Sequence, residues 1–153
     1  MNKQGFQAVG RIIGDDDQDT ALLQSMTKAA QDYITSFSWC PKISSTELAY
    51  GVGGVIALFL FEFEKKIHGT DDSLWVVVGD LPSAYLVVEP DDSPKEAIER
   101  YCILMEGWIS AVLSFTDRSK VFPVNIDPTP KNADLLRRRI DFLRAEIMPQ
   151  VSS

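Results

Sequence analysis

The chain is poor in the residues from which most enzyme sites are built. It has one histidine, His68, and two cysteines, Cys40 and Cys102, among 153 residues. A lone histidine makes neither a catalytic triad nor a metal site without partners. Two cysteines far apart in sequence form no disulfide framework, and free thiols suit a reducing compartment. We therefore expect no catalytic residues, no metal ligands and no cofactor, in a cytoplasmic protein.

Long apolar runs are missing as well. The longest extends from Val52 to Phe61, which is far too short for a helix that crosses a bilayer. The N-terminus lacks the apolar core of a signal peptide and runs directly into aspartates. We expect no association with a membrane.

Basic charge is scarce in the first part of the chain. Residues 1–92 hold 14 acidic and 6 basic side chains, whereas residues 93–153 hold 8 and 9, and the whole chain has a net charge of −7. Nucleic acid would repel such a protein, so we expect no nucleic-acid partner. The acidic clusters favour either simple solubility or a docking surface for a basic protein. They are Asp15, Asp16, Asp17 and Asp19; Asp71 and Asp72; and Glu89, Asp91 and Asp92.

What the chain does contain is the pattern of an α+β domain. Apolar residues at helical spacing predict helices over 19–38, 94–115 and 130–148. Between the first two helices, apolar runs predict strands over 43–50, 55–64, 74–78 and 84–88, with connections short enough for antiparallel neighbours. We predict a single domain over residues 1–153, with a three- to four-stranded, mainly antiparallel sheet packed by about three helices. Residues 1–14 show no period and should be loosely ordered.

The strand over 55–64 predicts two unlike sheet faces. Phe59, Phe61 and Phe63 share one side, whereas Leu58 and Leu60 share the other with two glutamates. The second face should therefore be only partly covered. This leaves two alternatives to a binding protein: a small-ligand protein or enzyme that uses this face near Glu62, Glu64 and His68, or a homodimer that buries Leu58 and Leu60.

Three short motifs resemble functional sites without completing them. Gly51-Val52-Gly53-Gly54 lacks the full phosphate-loop pattern and precedes a strand instead of following one. Asp15, Asp17 and Asp19 have the spacing of a calcium loop, but Thr20 and Met26 replace its glycine and glutamate. The run Arg137-Arg138-Arg139 could contact phosphate, although pairing with the acidic half of the chain explains it as well.

The corner Gly79-Asp80-Leu81-Pro82 offers a candidate recognition site. It is typical of a turn that Asp80 caps and Pro82 fixes. Alternatively, Asp80, Tyr85 and Trp75 lie at an exposed edge, where aromatic residues would anchor a partner. Together with Asp15, Asp16, Asp17, Asp71 and Asp72, these three are the partner-binding candidates.

The segment from Leu74 to Leu86, followed by Ser93-Pro94, Ala97, Tyr101-Cys102 and Gly107-Trp108, resembles a small bacterial protein family. That family is similar in character to the acidic immunity proteins encoded beside polymorphic toxins, and the likeness covers roughly residues 40–115. The resemblance implies a mixed α+β fold and supplies no catalytic residues. We expect a non-enzymatic protein-binding module, with inhibition of a cognate toxin that carries a basic domain as the preferred version.

Overall fold

The computed structural model describes residues 1–152, which form an α+β fold with a five-stranded sheet. The chain divides into two compact units, an N-terminal unit of residues 1–94 and a C-terminal unit that begins at Lys95. The fold class predicted from the sequence is confirmed. The prediction of one domain over residues 1–153 stays a prediction.

The N-terminal unit is an antiparallel sheet with one long helix. Its strands are β1 (Gln7–Ala8), β2 (Ile43–Val52), β3 (Ile56–Ile67), β4 (Asp71–Gly79) and β5 (Ala84–Val87), and helix α1 (Asp17–Thr35) lies between β1 and β2 in sequence. The strands lie side by side in the order β1-β2-β3-β4-β5, and every neighbouring pair is antiparallel. The sheet thus has one strand more than the sequence predicts.

The extra strand lies in the segment expected to be loose. Gln7 pairs with Leu48 and Ala8 with Glu47, and the side chain of Ile12 is 4% exposed. The segment is thus attached to the sheet at these positions, and the expectation of loose order over the rest of residues 1–14 stays a prediction. A two-residue strand is too short to leave an alternating pattern in the sequence, and β2 alone determines its pairing.

One face of the sheet packs against α1. Leu23, Met26, Ala30 and Ile34 of the helix form one buried cluster with Phe59, Phe61 and Val76 of the sheet. The opposite face is more buried than the sequence predicts, because Leu58 and Leu60 are 0% and 2% exposed. Only towards the end of β3 does this face open, at the half-exposed Glu62 and the exposed Glu64.

The C-terminal unit consists of helices. Helix α2 (Pro94–Leu113) contributes buried side chains at Ile98, Tyr101, Met105 and Trp108. Helix α3 (Pro130–Phe142) is capped at its N-terminus by Thr129, whose side chain accepts a hydrogen bond from the backbone N–H of Asn132. The helical path then changes to a π-helical turn over Leu143–Ile147 and a 3₁₀ turn over Met148–Gln150. The predicted last helix, 130–148, is thus α-helical only as far as Phe142.

Candidate functional site

The sheet and helix α1 separate the predicted site residues into two groups. Asp15, Asp16 and Asp17 are exposed at the start of α1. Asp80 is exposed after β4, where its backbone N–H donates to the carbonyl of Val55 at 3.0 Å. The turn that contains Val55 is held to the start of α1, so these four aspartates lie at one end of the N-terminal unit. We call them the acidic end.

Asp19 holds the acidic end together. Its Oδ1 accepts a hydrogen bond from the backbone N–H of Gly53 at 2.7 Å, and its Oδ2 accepts one from Asp15 N–H at 2.8 Å. A Cβ on Gly53 would come within 2.5 Å of the same carboxylate, so only glycine permits this approach. The glycine run before β3 is therefore a hairpin turn fastened to α1, and its backbone is engaged by a carboxylate of the chain itself.

A polar cavity of about 210 Å³ opens beside the acidic end. Its lining includes Gln7, Ile13, Asp15, Leu23 and Tyr50. Burial raises the pKa of the Tyr50 hydroxyl, and the negative charge of Asp15 raises it further. A tyrosine hydroxyl is protonated at neutral pH in any case, and this one can donate a hydrogen bond towards a carboxylate.

Tyr85 lies in a second group, at the end of α1 remote from Asp16. Its ring packs with Tyr33, Phe37 and Trp39, which we call, together with Tyr85, the aromatic cluster. The ring centroids of Phe37, Trp39 and Tyr85 are 5.2 Å apart in every pairing, and Phe37 is stacked on Trp39 with 21° between the planes. All four side chains are half-buried. The fold thus gathers partly exposed rings around a single predicted residue.

The hairpin between β3 and β4 borders the aromatic cluster. The exposed ring of His68 lies 5.9 Å from Trp39, centroid to centroid, at 48°. Asp71 and Asp72 follow within the same hairpin, and Asp72 is exposed. These two aspartates therefore lie on the same side of the unit as Tyr85, whereas the other predicted aspartates lie at the acidic end. Helix α1 has 19 residues, which at about 1.5 Å each separates the two groups by roughly 28 Å.

Burial raises the pKa of Tyr33 in the aromatic cluster above the ordinary value of a tyrosine. It raises the pKa of the Tyr33 hydroxyl to about 12, with a further contribution from Tyr85, while a hydrogen bond with the Tyr85 backbone acts in the opposite direction. A tyrosine hydroxyl is neutral at physiological pH in any case, and the raised pKa extends that neutral range into alkaline solution, so the cluster presents uncharged rings.

The placement of Trp75 at an exposed edge is wrong. Its side chain is 0% exposed, and its indole N–H donates to Oδ2 of Asp92 at 2.8 Å. Trp75 stands opposite Leu60 on the sheet face away from α1, and its ring meets Phe6 edge-on with 6.3 Å between centroids. It is a core residue with a satisfied polar atom, so it cannot contact a partner.

The residues of the alternative ligand or enzyme site are not brought together. Glu62 forms an ion pair with Lys3 at 2.6 Å, and Glu64 forms one with Lys42 at 3.6 Å. His68 lies against Trp39, on the side of the sheet that faces α1, whereas Glu62 shares its side with Leu60. The homodimer contact over Leu58 and Leu60 is not available either, because both side chains are buried within the chain.

Among residues 1–152, no cluster of histidine, cysteine, aspartate and glutamate side chains could hold a metal ion. No helix in that range is long and apolar enough to span a bilayer. The arginine run pairs locally, since Arg137 and Arg138 both contact Asp134 on the same helix.

Three rings of the aromatic cluster were not among the sequence-based candidates. The sequence assigns Tyr33 and Phe37 to the apolar stripe of the first helix, and Trp39 to its end. The sequence feature that could have indicated them is the local density of aromatic residues. Three lie within seven positions, from 33 to 39, and the last follows the helix. A helix stripe predicts which side is buried, but not how far burial extends at its final turn.

Comparison with models of known protein families, with curated proteins and with solved structures finds no match.

Proposed function

We propose that this protein is a non-enzymatic module that binds a basic protein. The observation that carries the proposal is the aromatic cluster, in which the half-buried rings of Phe37 and Trp39 lie 5.2 Å from Tyr85 and that of Tyr33 lies 6.5 Å from it. Such rings supply large contact area at low cost in side-chain entropy, and they are enriched at the energetic centres of protein interfaces. Trp39 and the cluster's tyrosines are of the types that alanine scanning finds most often at those centres.

The charge of the N-terminal unit supports a basic partner. Residues 1–92 carry 14 acidic and 6 basic side chains, and the acidic end presents four exposed aspartates. Such a field accelerates the encounter with a positively charged surface and disfavours acidic competitors. We assign the acidic end to steering and the aromatic cluster to anchoring.

In the preferred version, the partner is a toxin and this protein is its immunity protein in the bacterial cytoplasm. The resemblance noted for residues 40–115 and the free thiols of Cys40 and Cys102 favour this version. Genomic context tests it directly. A toxin gene immediately upstream, whose product is neutralised by this protein in a growth assay, is the expected finding. A metabolic operon with no toxin would contradict toxin inhibition.

Binding kinetics test the wider proposal. With the partner in hand, the association rate should fall steeply as ionic strength rises, because salt screens the acidic end. The paired variant Asp15→Lys/Asp17→Lys should lower the association rate, whereas Trp39→Ala should raise the dissociation rate. The matched control is Lys28→Glu/Asp32→Lys, which reverses an exposed ion pair on α1 without changing net charge.

Two results of these binding measurements would contradict the proposal. A captured protein whose association is indifferent to salt would remove the steering role. A dissociation rate unchanged by Trp39→Ala, in a variant that keeps its thermal unfolding profile, would remove the anchor and with it the proposed binding surface.

A further inference from the structure

We propose that the aromatic cluster receives an arginine side chain of the partner. This inference rests on the proposed function, because it names the group that the same surface holds. The partner's backbone would run beside the β3–β4 hairpin, and its guanidinium would add to the stack that Phe37 and Trp39 begin.

The geometry of the rings favours a planar cation. Phe37 lies parallel to Trp39 within 21°, whereas Tyr85 meets Phe37 at 77° and Trp39 at 65°. The cluster therefore consists of a stacked pair, Phe37 and Trp39, with the ring of Tyr85 packed edge-on beside it. A guanidinium is flat, weakly hydrated and able to stack on aromatic faces, whereas an ammonium is compact and strongly hydrated. The shape thus fits arginine better than lysine.

Charge around the cluster favours a cation over an apolar anchor. Asp71 and Asp72 follow His68 in the hairpin that contacts Trp39. The Oδ2 of Asp71 is held at 3.2 Å by the Thr70 hydroxyl, which leaves its other oxygen as an acceptor. A guanidinium on the rings has five donors in a fork that matches carboxylate oxygens. The strongly acidic balance of the unit acts in the same direction.

The same hairpin also carries Lys65 and Lys66, both exposed, immediately before the turn. Their charge opposes a cation at the aromatic cluster, while the charge of Asp71 and Asp72 attracts it. Neutralising the lysines and neutralising the aspartates should therefore change the affinity for arginine in opposite directions. Lys65→Gln/Lys66→Gln should strengthen arginine binding, and Asp71→Asn/Asp72→Asn should weaken it.

The test is a titration of the full chain with an acetyl-Gly-Arg-Gly-amide peptide, observed through the indole N–H resonances of its three tryptophans. Trp39→Phe identifies the Trp39 resonance. We expect that resonance to shift and to saturate, and the peptide with citrulline in place of arginine to bind about twofold to fivefold more weakly. Trp75 is buried, so its resonance is an internal control that should stay in place.

An unmoved Trp39 resonance, or equal shifts with the citrulline peptide, would overturn the arginine assignment. The titration itself uses the unmodified protein, so only the assignment of the Trp39 resonance depends on a folded variant. Kinetics with the partner separate the two proposals. If Trp39→Ala raises the dissociation rate but no arginine-to-alanine change in the partner does, the anchor is not arginine and the binding function stands. If neither change has an effect, the binding surface itself is wrong.

Discussion

At the scale of single residues, Asp92 shows how a buried charge is accommodated in this protein. Its side chain is 3% exposed. One oxygen accepts from the Trp75 indole at 2.8 Å and from Glu89 N–H at 3.0 Å, and the other accepts from Ser93 N–H at 3.0 Å. A buried carboxylate is tolerated only when hydrogen bonds replace its water. Trp75 thus links the sheet to the loop that follows β5.

Trp75→Phe should therefore be costly although it keeps an aromatic ring. The change removes the indole donor from a buried carboxylate, for an expected loss of about 1–3 kcal/mol in the free energy of unfolding. Urea denaturation measures it. Trp39→Phe is the matched control, because Trp39 is half-buried, and its loss should be clearly smaller. Equal losses at the two positions would contradict the role of the Trp75–Asp92 hydrogen bond.

The raised pKa of Tyr33 predicts that the free energy of unfolding falls in alkaline solution. Burial raises its pKa in the folded state to about 12, above the value of about 10 in an unfolded chain. The folded state holds this proton more tightly, so the stabilisation is fully present below about pH 10 and is lost as the pH rises towards 12. Tyr33→Phe should show a shallower decline than the wild type when unfolding is followed from pH 9 to 12. Parallel curves would contradict this assignment.

The sequence could predict Tyr85 and Asp80 as surface residues more easily than it could place Trp75. Pro82 and its neighbours mark a corner, and corners are exposed. The run Leu74-Trp75-Val76-Val77-Val78, by contrast, is apolar at every position. A strand without alternation does not reveal which side faces which environment. The ring of Trp75 contacts Phe6 and Asp92, and these neighbours, distant in sequence, are known only from the folded chain.

At the scale of elements, the three aspartates at the start of α1 are not equivalent. Asp16 is the N-cap, with an extended backbone (φ −148°, ψ −179°), and its Oδ1 accepts from Asp19 N–H at 2.7 Å. Asp15 and Asp17 flank it and are exposed. Charge reversal at all three positions would therefore mix steering with helix stability, which is why the kinetic variants leave Asp16 unchanged.

Asp16→Ala should lower the free energy of unfolding by about 1 kcal/mol, the usual cost of removing a cap. Asp15→Asn and Asp17→Asn should each stay within about 0.5 kcal/mol of the wild type, as expected for surface substitutions away from special features. Chemical denaturation of the three single variants compares them directly. An Asp16→Ala variant as stable as the other two would mean that the helix start does not depend on this cap.

Arg144 fastens the π-helical turn to α2. Its Nε and Nη2 donate to the two oxygens of Glu106 at 3.1 and 2.6 Å, and its Nη1 donates to Glu99 at 2.7 Å. These hydrogen bonds raise the pKa of the Arg144 guanidinium. The fork of arginine suits this site, because two of its nitrogens engage both oxygens of Glu106 while the third reaches Glu99, an arrangement that the single nitrogen of a lysine does not match.

Arg144→Lys should cost up to about 1 kcal/mol, a modest figure because the three side chains are about one-third exposed and solvent screens them. The control is Arg138→Lys, whose pairing with Asp134 lies at the surface within a single helix and should have almost no effect. Thermal unfolding at low and high salt measures both. A loss for Arg144→Lys that is no greater than the control's would contradict the fastening role.

The regular elements were more predictable than their ends. Apolar periodicity located all three helices and four strands, since each buries a stripe or a face long enough to repeat. The first helix begins at Asp17 instead of 19 because the cap at Asp16 fixes its start. The π turn after Phe142 was invisible in the sequence, because Leu136, Ile140, Leu143 and Ile147 continue a helical stripe across it.

At the scale of the whole molecule, short connections were enough to predict an antiparallel sheet, and the fold class followed. The candidate functional site was harder to predict from the sequence. Candidates chosen for charge and for aromatic type fell into two groups roughly 28 Å apart along α1, with Trp75 in the core. Proximity between distant parts of the chain, such as Asp19 with Gly53 or Trp39 with His68, arises from packing that no local pattern encodes.

The order of the strands bears on how the chain finds its fold. From β2 to β5, every pairing joins strands that are consecutive in sequence, across turns of a few residues. Closing such short loops costs little chain entropy, so these hairpins should form early and quickly. Strand β1 differs, because all of α1 separates it from β2. Pulsed hydrogen exchange during refolding should therefore find the amides of β3 and β4 protected first and those of β1 last.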